Sequence, residues 1–310
     1  MRRMEKRQLG CSELYVSTLG LGCMSLGTDE LRAREIIEIA LEEGVNYFDT
    51  ADLYDFGTNE KIVGQALKHV REHVIIATKV GNRWNNSNEG WRWDPSKAYI
   101  KEQVKMSLQR LGTEYIDLYQ LHGGTLDDPI EETIEAFEEL QAEGFIRYYG
   151  ISSIRPNVIR EYLAKSNIVS VMMQYSLLDR RPEEEVLPLL HEHNIGVVTR
   201  GPLANGLLSK QMLKKSSAKI RENGYLDYSY QELTHLLPDL KEKLASTRSF
   251  TEIALQYNLA HPAVSSVVTG ASSVQQIREN CAAVRSQPLT NEEITLIRNL
   301  TKEIRYDQHR

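Results

Sequence analysis

The stretch LGLGCMSLGTDELRAREIIEIALEEGVNYF, residues 19–48, decides between two ways of winding strands and helices together. It opens on one apolar run, 19–22 (LGLG), and closes on another, 45–48 (VNYF). Between them, LRAREIIEIALEEG sets Ile36, Ile37, Ala40 and Leu41 on one helical face, carries acids and arginines on the other, and stops at Gly44. In a doubly wound dinucleotide fold, G-x-G-x-x-G would open a helix straight after the first strand. Here Gly20-Leu21-Gly22 is followed by Cys23-Met24-Ser25, with no third glycine, and the helix begins only near Leu31. That start is too late to hold a pyrophosphate at the helix N-terminus. The unit therefore predicts one stave of a barrel.

The same unit recurs. Further strands are expected near 74–78 (VIIAT), 115–121 (YIDLYQL), 146–151 (IRYYGI), 168–173 (IVSVMM), 195–199 (IGVVT) and 264–269 (VSSVVT). Helical periodicity fills the gaps in AYIKEQVKMSLQRLG, IEETIEAFEELQAEG and NVIREYLAK, the first two ending at Gly112 and Gly144. Eight alternations predict a (β/α)₈ TIM barrel, a single domain over residues 1–310. RQLGCSELYVS, ahead of the first strand, reads as a β-hairpin capping the barrel bottom. Two connections exceed what a barrel needs: 80–95 after the third strand, and 201–247 after the seventh, which includes the polar run KKSSAKIRENG. Long loops after strands fall on the C-terminal face, where barrel active sites are built. The first loop carries all three tryptophans, Trp84, Trp91 and Trp93, and is expected to wall a substrate pocket.

Bulk properties exclude several classes. Apolar residues make up 41% and charged residues 26%, as in a soluble globular protein, and the net charge of −6 leaves no basic stripe for nucleic acid. No apolar run is long enough for a membrane span, and MRRMEKRQLG lacks the apolar core of a signal peptide. Cys11, Cys23 and Cys281 are scattered and odd in number, which fits a reducing cytoplasm. The oligomeric state is left open.

Four strand ends carry reactive groups. Asp49 closes the second strand, Tyr54 lies in the loop beyond it, Lys79 closes the third strand and His122 the fourth. Adjacent strands lie about 4.8 Å apart, so the four can converge above the barrel mouth. Singly, each has an ordinary explanation: a capping acid, a packed tyrosine, a solvated lysine, a core histidine. Together they suit proton transfer to or from an oxygen. A phenol titrates near pH 10 and is a reluctant acid at neutral pH, an adjacent ammonium lowers its pKa, and a carboxylate keeps that ammonium charged. The imidazole can fix the direction of a substrate oxygen.

Over nearly the whole chain these residues resemble the aldo-keto reductases, and DTADLYDFGTNE is similar to the family's D-x-x-x-x-Y-G-x-x-E region. The resemblance implies an NADPH-dependent reductase of aldehydes or ketones, with NADH left open as cofactor. Tyr54 would be the general acid, Lys79 and Asp49 would tune it, and His122 would orient the carbonyl. It further implies that Ser152 and Gln174 hold the nicotinamide carboxamide, that Ser153, also on the cofactor side, stands where many relatives have asparagine, and that Arg200 stands where many relatives stack a tyrosine. Leu203 and Gly206 would follow the pyrophosphate, and Gly201 would also bind the cofactor. Gly270, Ser272, Ser273, Gln276, Glu279 and Asn280, in TGASSVQQIREN, would meet the adenosine end at the start of the last helix. Gln276 replaces an arginine that relatives preferring the 2′-phosphate often carry.

Other features carry less. His191 and His193 point to different faces of a helix pattern, so no metal site is expected. Cys23 is expected near the pocket. Arg180-Arg181 before Pro182 and three glutamates reads as a helix start. Two rival functions remain at this stage: a cofactor-sensing regulatory subunit resembling potassium-channel β subunits, and a metal-dependent hydrolase on the same fold.

Overall fold

The coordinates are a computed structural model that describes residues 3–84, 90–244 and 248–310. Strands are β1 (Lys6–Gln8), β2 (Tyr15–Ser17), β3 (Leu19–Gly22), β4 (Tyr47–Asp49), β5 (Ile75–Val80), β6 (Asn82–Trp84), β7 (Trp91–Trp93), β8 (Ile116–Leu121), β9 (Ile146–Ser152), β10 (Ser170–Gln174), β11 (Gly196–Arg200) and β12 (Val264–Gly270). Helices are α1 (Glu30–Glu42), α2 (Thr58–Leu67), α3 (Lys97–Leu111), α4 (Ile130–Ala142), α5 (Pro156–Lys165), α6 (Val186–Glu192), α7 (Ala218–Asn223), α8 (Tyr230–Leu244), α9 (Phe250–Leu259), α10 (Val274–Val284) and α11 (Asn291–Leu300).

Eight parallel strands close in the order β3-β4-β5-β8-β9-β10-β11-β12, as the alternation predicts. The strands are buried almost throughout because one face meets the helices and the other fills the barrel. The ends of the helices follow local chemistry. Asp29 caps α1 by accepting from the Arg32 N–H, Ser96 caps α3 by accepting from Tyr99, and Gly112 ends α3 at φ 63°. Ser249 and Thr290 open α9 and α11 with complete capping boxes.

The antiparallel β1–β2 hairpin covers the end where the barrel strands begin. Its Leu9, Leu14 and Val16 pack with Tyr47, Ile75, Ala77, Leu118, Met172 and Val198 as an apolar plug. Each fully buried aliphatic side chain of this kind contributes about 1.5–3 kcal/mol. Gly10 makes the closure feasible: its φ is 57°, and a Cβ there would lie 2.3 Å from the Val169 carbonyl oxygen.

Several expectations are corrected. The second strand begins at Tyr47, not at Val45, because the Val45 N–H is still held by Ala40 at the end of α1. Residues 201–247 are not one loop: Ser217 caps α7 out of the polar run, and α8 buries Leu233, Leu237, Leu240 and Leu244. Of 80–95, the described part is a hairpin pairing Asn82 with Trp93 and Trp84 with Trp91. Residues 85–89 of the first connection and 245–247 of the second lie outside the described residues. The TGASSVQQIREN segment opens α10, and α11 is the last helix among the described residues.

Candidate active site

Alternation along the strands determines which side chains reach the mouth opposite the plug. Ala77 faces the plug side of the interior, so Lys79, two residues on, faces the interior one layer higher. Asp49 and Lys79 come from the adjacent strands β4 and β5. Lys79 Nζ donates to Asp49 Oδ2 at 2.8 Å and to the Thr50 carbonyl at 2.7 Å, and lies 3.3 Å from Tyr54 Oη. Tyr54 and His122 meet edge to face, with ring centroids 5.9 Å apart. The four strand-end groups are thus brought together.

Burial sets the charges of the site. Burial alone would pull Lys79 down, but Asp49 and Tyr54 more than reverse it, and Lys79 stays an ammonium. His122 is pushed down to about 3 by burial and by the Lys79 and Arg200 charges, so its imidazole is neutral at physiological pH. Tyr54 departs from expectation. Burial pushes its pKa up by more than the Lys79 charge pulls it down, and the phenol rests above its ordinary value. The phenol therefore holds its proton at rest, and Lys79 stabilises the phenolate that would form when the proton leaves. Asp49 Oδ1 and His122 Nδ1 are buried with no hydrogen-bond partner among the described residues.

Tyr54 begins a strained turn. Asp55 and Phe56 follow at φ 47° and 49°, and Gly57 at φ 82°. Two consecutive left-handed non-glycine residues cost roughly 1–2 kcal/mol each.

Around the rest of the mouth, Gln174 and Arg200 end β10 and β11 in register, and Arg200 Nη1 donates to Gln174 Oε1 at 3.1 Å. Ser152 ends β9, and the Ser153 hydroxyl accepts from the Arg155 N–H at 3.2 Å. Beyond β11, Gly201, Ala204, Asn205 and Gly206 all have positive φ, and the Ala204 and Gly206 N–H groups close this tight path on the Gly201 and Leu203 carbonyls. Gly270 ends β12. Ser273 caps α10 by accepting from the Gln276 N–H, and Gln276 Oε1 accepts from the Ser272 N–H at 2.7 Å. An anion at this helix start would therefore displace Gln276. Asn280 is buried on Thr269 at 3.0 Å, and Glu279 accepts from Gln275 at 2.8 Å.

Of the tryptophans, Trp84 meets Phe56 edge-on at 5.7 Å, and Trp93 donates to Asp128 at 2.9 Å while covering Gly81 and Gly123. Trp91 is 57% exposed. Cys23 is buried close to Asp49 and Lys79, and burial pushes its thiol far up, so it stays protonated. His191 and His193 are exposed, and no cluster of metal-ligating side chains occurs among the described residues. Arg180 and Arg181 do more than start a helix: Arg180 binds Glu183 and the Arg298 carbonyl, and Arg181 grips Asp179 at 2.7 Å.

Sequence reading missed a second polar group. Asp52, Glu60, Gln103 and Arg110 lie between β5, α2 and α3, with Arg110 Nε donating to Glu60 Oε2 at 2.6 Å and Gln103 to Asp52 Oδ2 at 3.1 Å. Glu60 stands in the quoted motif, but nothing local announces its partner 50 residues on.

Comparison with known proteins points to one family. The profile of the Aldo/keto reductase family matches residues 18–302. An uncharacterised oxidoreductase of Bacillus subtilis, YqkF, is 60% identical over 99% of this chain and 100% of its own. The NADH-specific methylglyoxal reductase of Escherichia coli is 32% identical over 97% of this chain and 99% of its own. Among solved structures, the holo form of aldo-keto reductase AKR11C1 from Bacillus halodurans superposes with a TM-score of 0.93 at 61% identity, covering 99% of both chains.

Proposed function

Because the chain belongs to the aldo/keto reductase family, we propose that it reduces aldehydes or ketones to alcohols, using Tyr54 as proton donor and a nicotinamide cofactor. The observation that carries the reading is the contact of Lys79 Nζ with both Asp49, at 2.8 Å, and Tyr54 Oη, at 3.3 Å. Tyr54 gives its proton to the carbonyl oxygen as negative charge develops there, and the Lys79 ammonium stabilises the phenolate left behind. Asp49 keeps Lys79 charged. Neutral His122 donates to the same oxygen and fixes its direction. Trp84, Trp91 and Trp93 wall the substrate side.

The residues present fit a dinucleotide: an unpartnered imidazole nitrogen at the mouth, a polar pair at adjacent strand ends, and a positive-φ backbone path beside them. When bound, the cofactor supplies hydride from its nicotinamide ring. Ser152, Ser153 and Gln174 would hold the carboxamide, and Arg200 would meet the ring or a phosphate. Gly201 and Leu203 would offer backbone N–H groups to the pyrophosphate, with Gly206, whose N–H is held by the Leu203 carbonyl, shaping the path beside it, while Gly270, Ser272, Ser273, Gln276, Glu279 and Asn280 would take the adenosine end.

NADPH is the proposed cofactor. The arginine absent at Gln276 has a stand-in from another element, since Arg32 of α1 donates to the Ser272 carbonyl. A cytoplasmic location and a single domain over 1–310 complete the reading, and Cys11, Cys23 and Cys281 are all free thiols. The test is Tyr54→Phe assayed on 4-nitrobenzaldehyde beside NADPH and NADH titrations followed by tryptophan fluorescence. Retained nucleotide binding with turnover nearly abolished is the expected result; undiminished turnover rejects Tyr54 as the donor.

A further inference from the structure

β5 turns consecutive residues to opposite sides of the barrel wall. Lys79 points in, to Tyr54, while Thr78 points out and donates to Glu60 Oε1 at 2.6 Å. Glu60 is fully buried in the first turn of α2, and its second oxygen accepts from Arg110 Nε at 2.6 Å. Arg110 reaches across from α3 and also donates to Ser107 at 3.0 Å, which fixes the plane of its guanidinium. Its stem presses on the turn that follows Tyr54: a Cβ added to Gly57 would lie 2.7 Å from Arg110 Cδ. The guanidinium carbon lies 5.9 Å from the Trp84 ring centre, and Trp84 in turn backs Phe56. Next to Glu60, Asn59 accepts from Thr50 at 2.7 Å and donates to the Cys23 carbonyl at 2.8 Å, tying α2 to the ends of β3 and β4.

A backbone in three successive left-handed conformations persists only where its surroundings over-determine it. Here those surroundings are the Arg110 stem, Trp84 and the anchored start of α2. We propose that the Glu60–Arg110 ion pair is a positioning device for the reaction, holding the strained 55–57 turn against the outside of the wall so that the Tyr54 phenol stays over Lys79 on the inside. The proposal rests on Tyr54 being the proton donor. Neither Glu60 nor Arg110 reaches the mouth, so they act through Tyr54. A buried pair adds little stability over apolar residues of equal volume. Its directional bonds instead locate a backbone, and misplacement of a reacting group by 1 Å costs about 100-fold in rate.

The test is the double variant Glu60→Gln/Arg110→Met, which leaves no unpaired charge of the pair in the layer. It is expected to bind the preferred dinucleotide, by tryptophan quenching, as the unmodified enzyme does. On 4-nitrobenzaldehyde kcat falls by about 10- to 100-fold, with KM little changed. The basic limb of the kcat–pH profile moves upward as the phenol loses its ammonium. Glu60→Gln alone keeps the shape, its amide oxygen accepting from Arg110 while its NH2 donates to the Thr78 hydroxyl, and retains most of kcat. Should the double variant be too unstable to purify, Gly57→Ala, which pushes the turn off Arg110, is expected to lower kcat and move the same limb. An unchanged kcat overturns the proposal, and so does a lowered kcat with an unmoved limb. Tyr54→Phe run alongside separates the two ideas, since full turnover there refutes the proton donor whatever the double variant does.

Discussion

Two buried charge clusters sit back to back across the wall of β5, built from similar residues. Inside are Asp49, Lys79, Tyr54 and His122; outside are Asp52, Glu60, Arg110 and Gln103. The inner cluster matches one carboxylate to one ammonium and leaves Asp49 Oδ1 and His122 Nδ1 without partners. The outer cluster sets two carboxylates against one guanidinium. Glu60 has both oxygens paired, while Asp52 Oδ1 is buried with no partner among the described residues. The difference is access. The inner cluster ends at the mouth, whereas the outer one is enclosed under α2 and α3, where the surplus charge is removed by a proton. Burial and Glu60 push Asp52 up to about 8, against the pull of Arg110 and Gln103. Tyr99 and Tyr119 face the same cluster and are themselves held protonated by burial.

The comparison can be broken most sharply at the inner cluster. Tyr54→Phe should lower kcat by about 10²–10⁴-fold, the usual worth of a positioned acid, without changing nucleotide affinity; a loss under tenfold would contradict the assigned chemistry. Lys79→Met should cost about 3–5 kcal/mol of stability by stranding the Asp49 carboxylate, seen in urea unfolding, and Lys79→Met/Asp49→Leu should recover most of it. The outer cluster predicts a pH effect of defined sign. With its folded pKa above the ordinary 3.8, Asp52 binds more protons folded than unfolded, so its contribution to stability is full below about 4 and declines as pH rises towards 8. Asp52→Asn should therefore raise Tm at pH 9 by several degrees, since a shift from 3.8 to about 8 is worth on the order of several kcal/mol, and leave Tm near pH 4 unchanged. An equal effect at both pH values would refute the buried proton. The smallest expected effect lies at the rim. Arg32→Ala should raise KM for NADPH several-fold and leave KM for NADH unchanged, a difference of roughly 1 kcal/mol for a charge-assisted contact to an exposed phosphate.

Much of the inner cluster was legible because it is written in strand ends. Once eight strands close, Asp49, Lys79 and His122 must face one mouth, and Tyr54 follows Asp49 by only five positions. The direction of the phenol's pKa was not legible. It depends on how deeply the phenol is buried, and burial outweighs the ammonium that the sequence suggests will prevail. The outer cluster was invisible for a different reason: Glu60 and Arg110 lie 50 positions apart on separate helices, and nothing periodic couples them. The segment 201–247 illustrates a third cause. Its polar opening reads as loop, yet Ser217 caps a helix there and a leucine stripe buries the next one.

The sequence by itself determined the alternation of strand and helix, the parallel closure, the apolar plug and the residue types at each strand end, since these follow from local periodicity and from the length of each unit. Only the tertiary structure decided which charges meet, which oxygens are left without partners, and which way each proton is held. Those depend on distances between elements remote in the chain and on how much water the packed layers exclude.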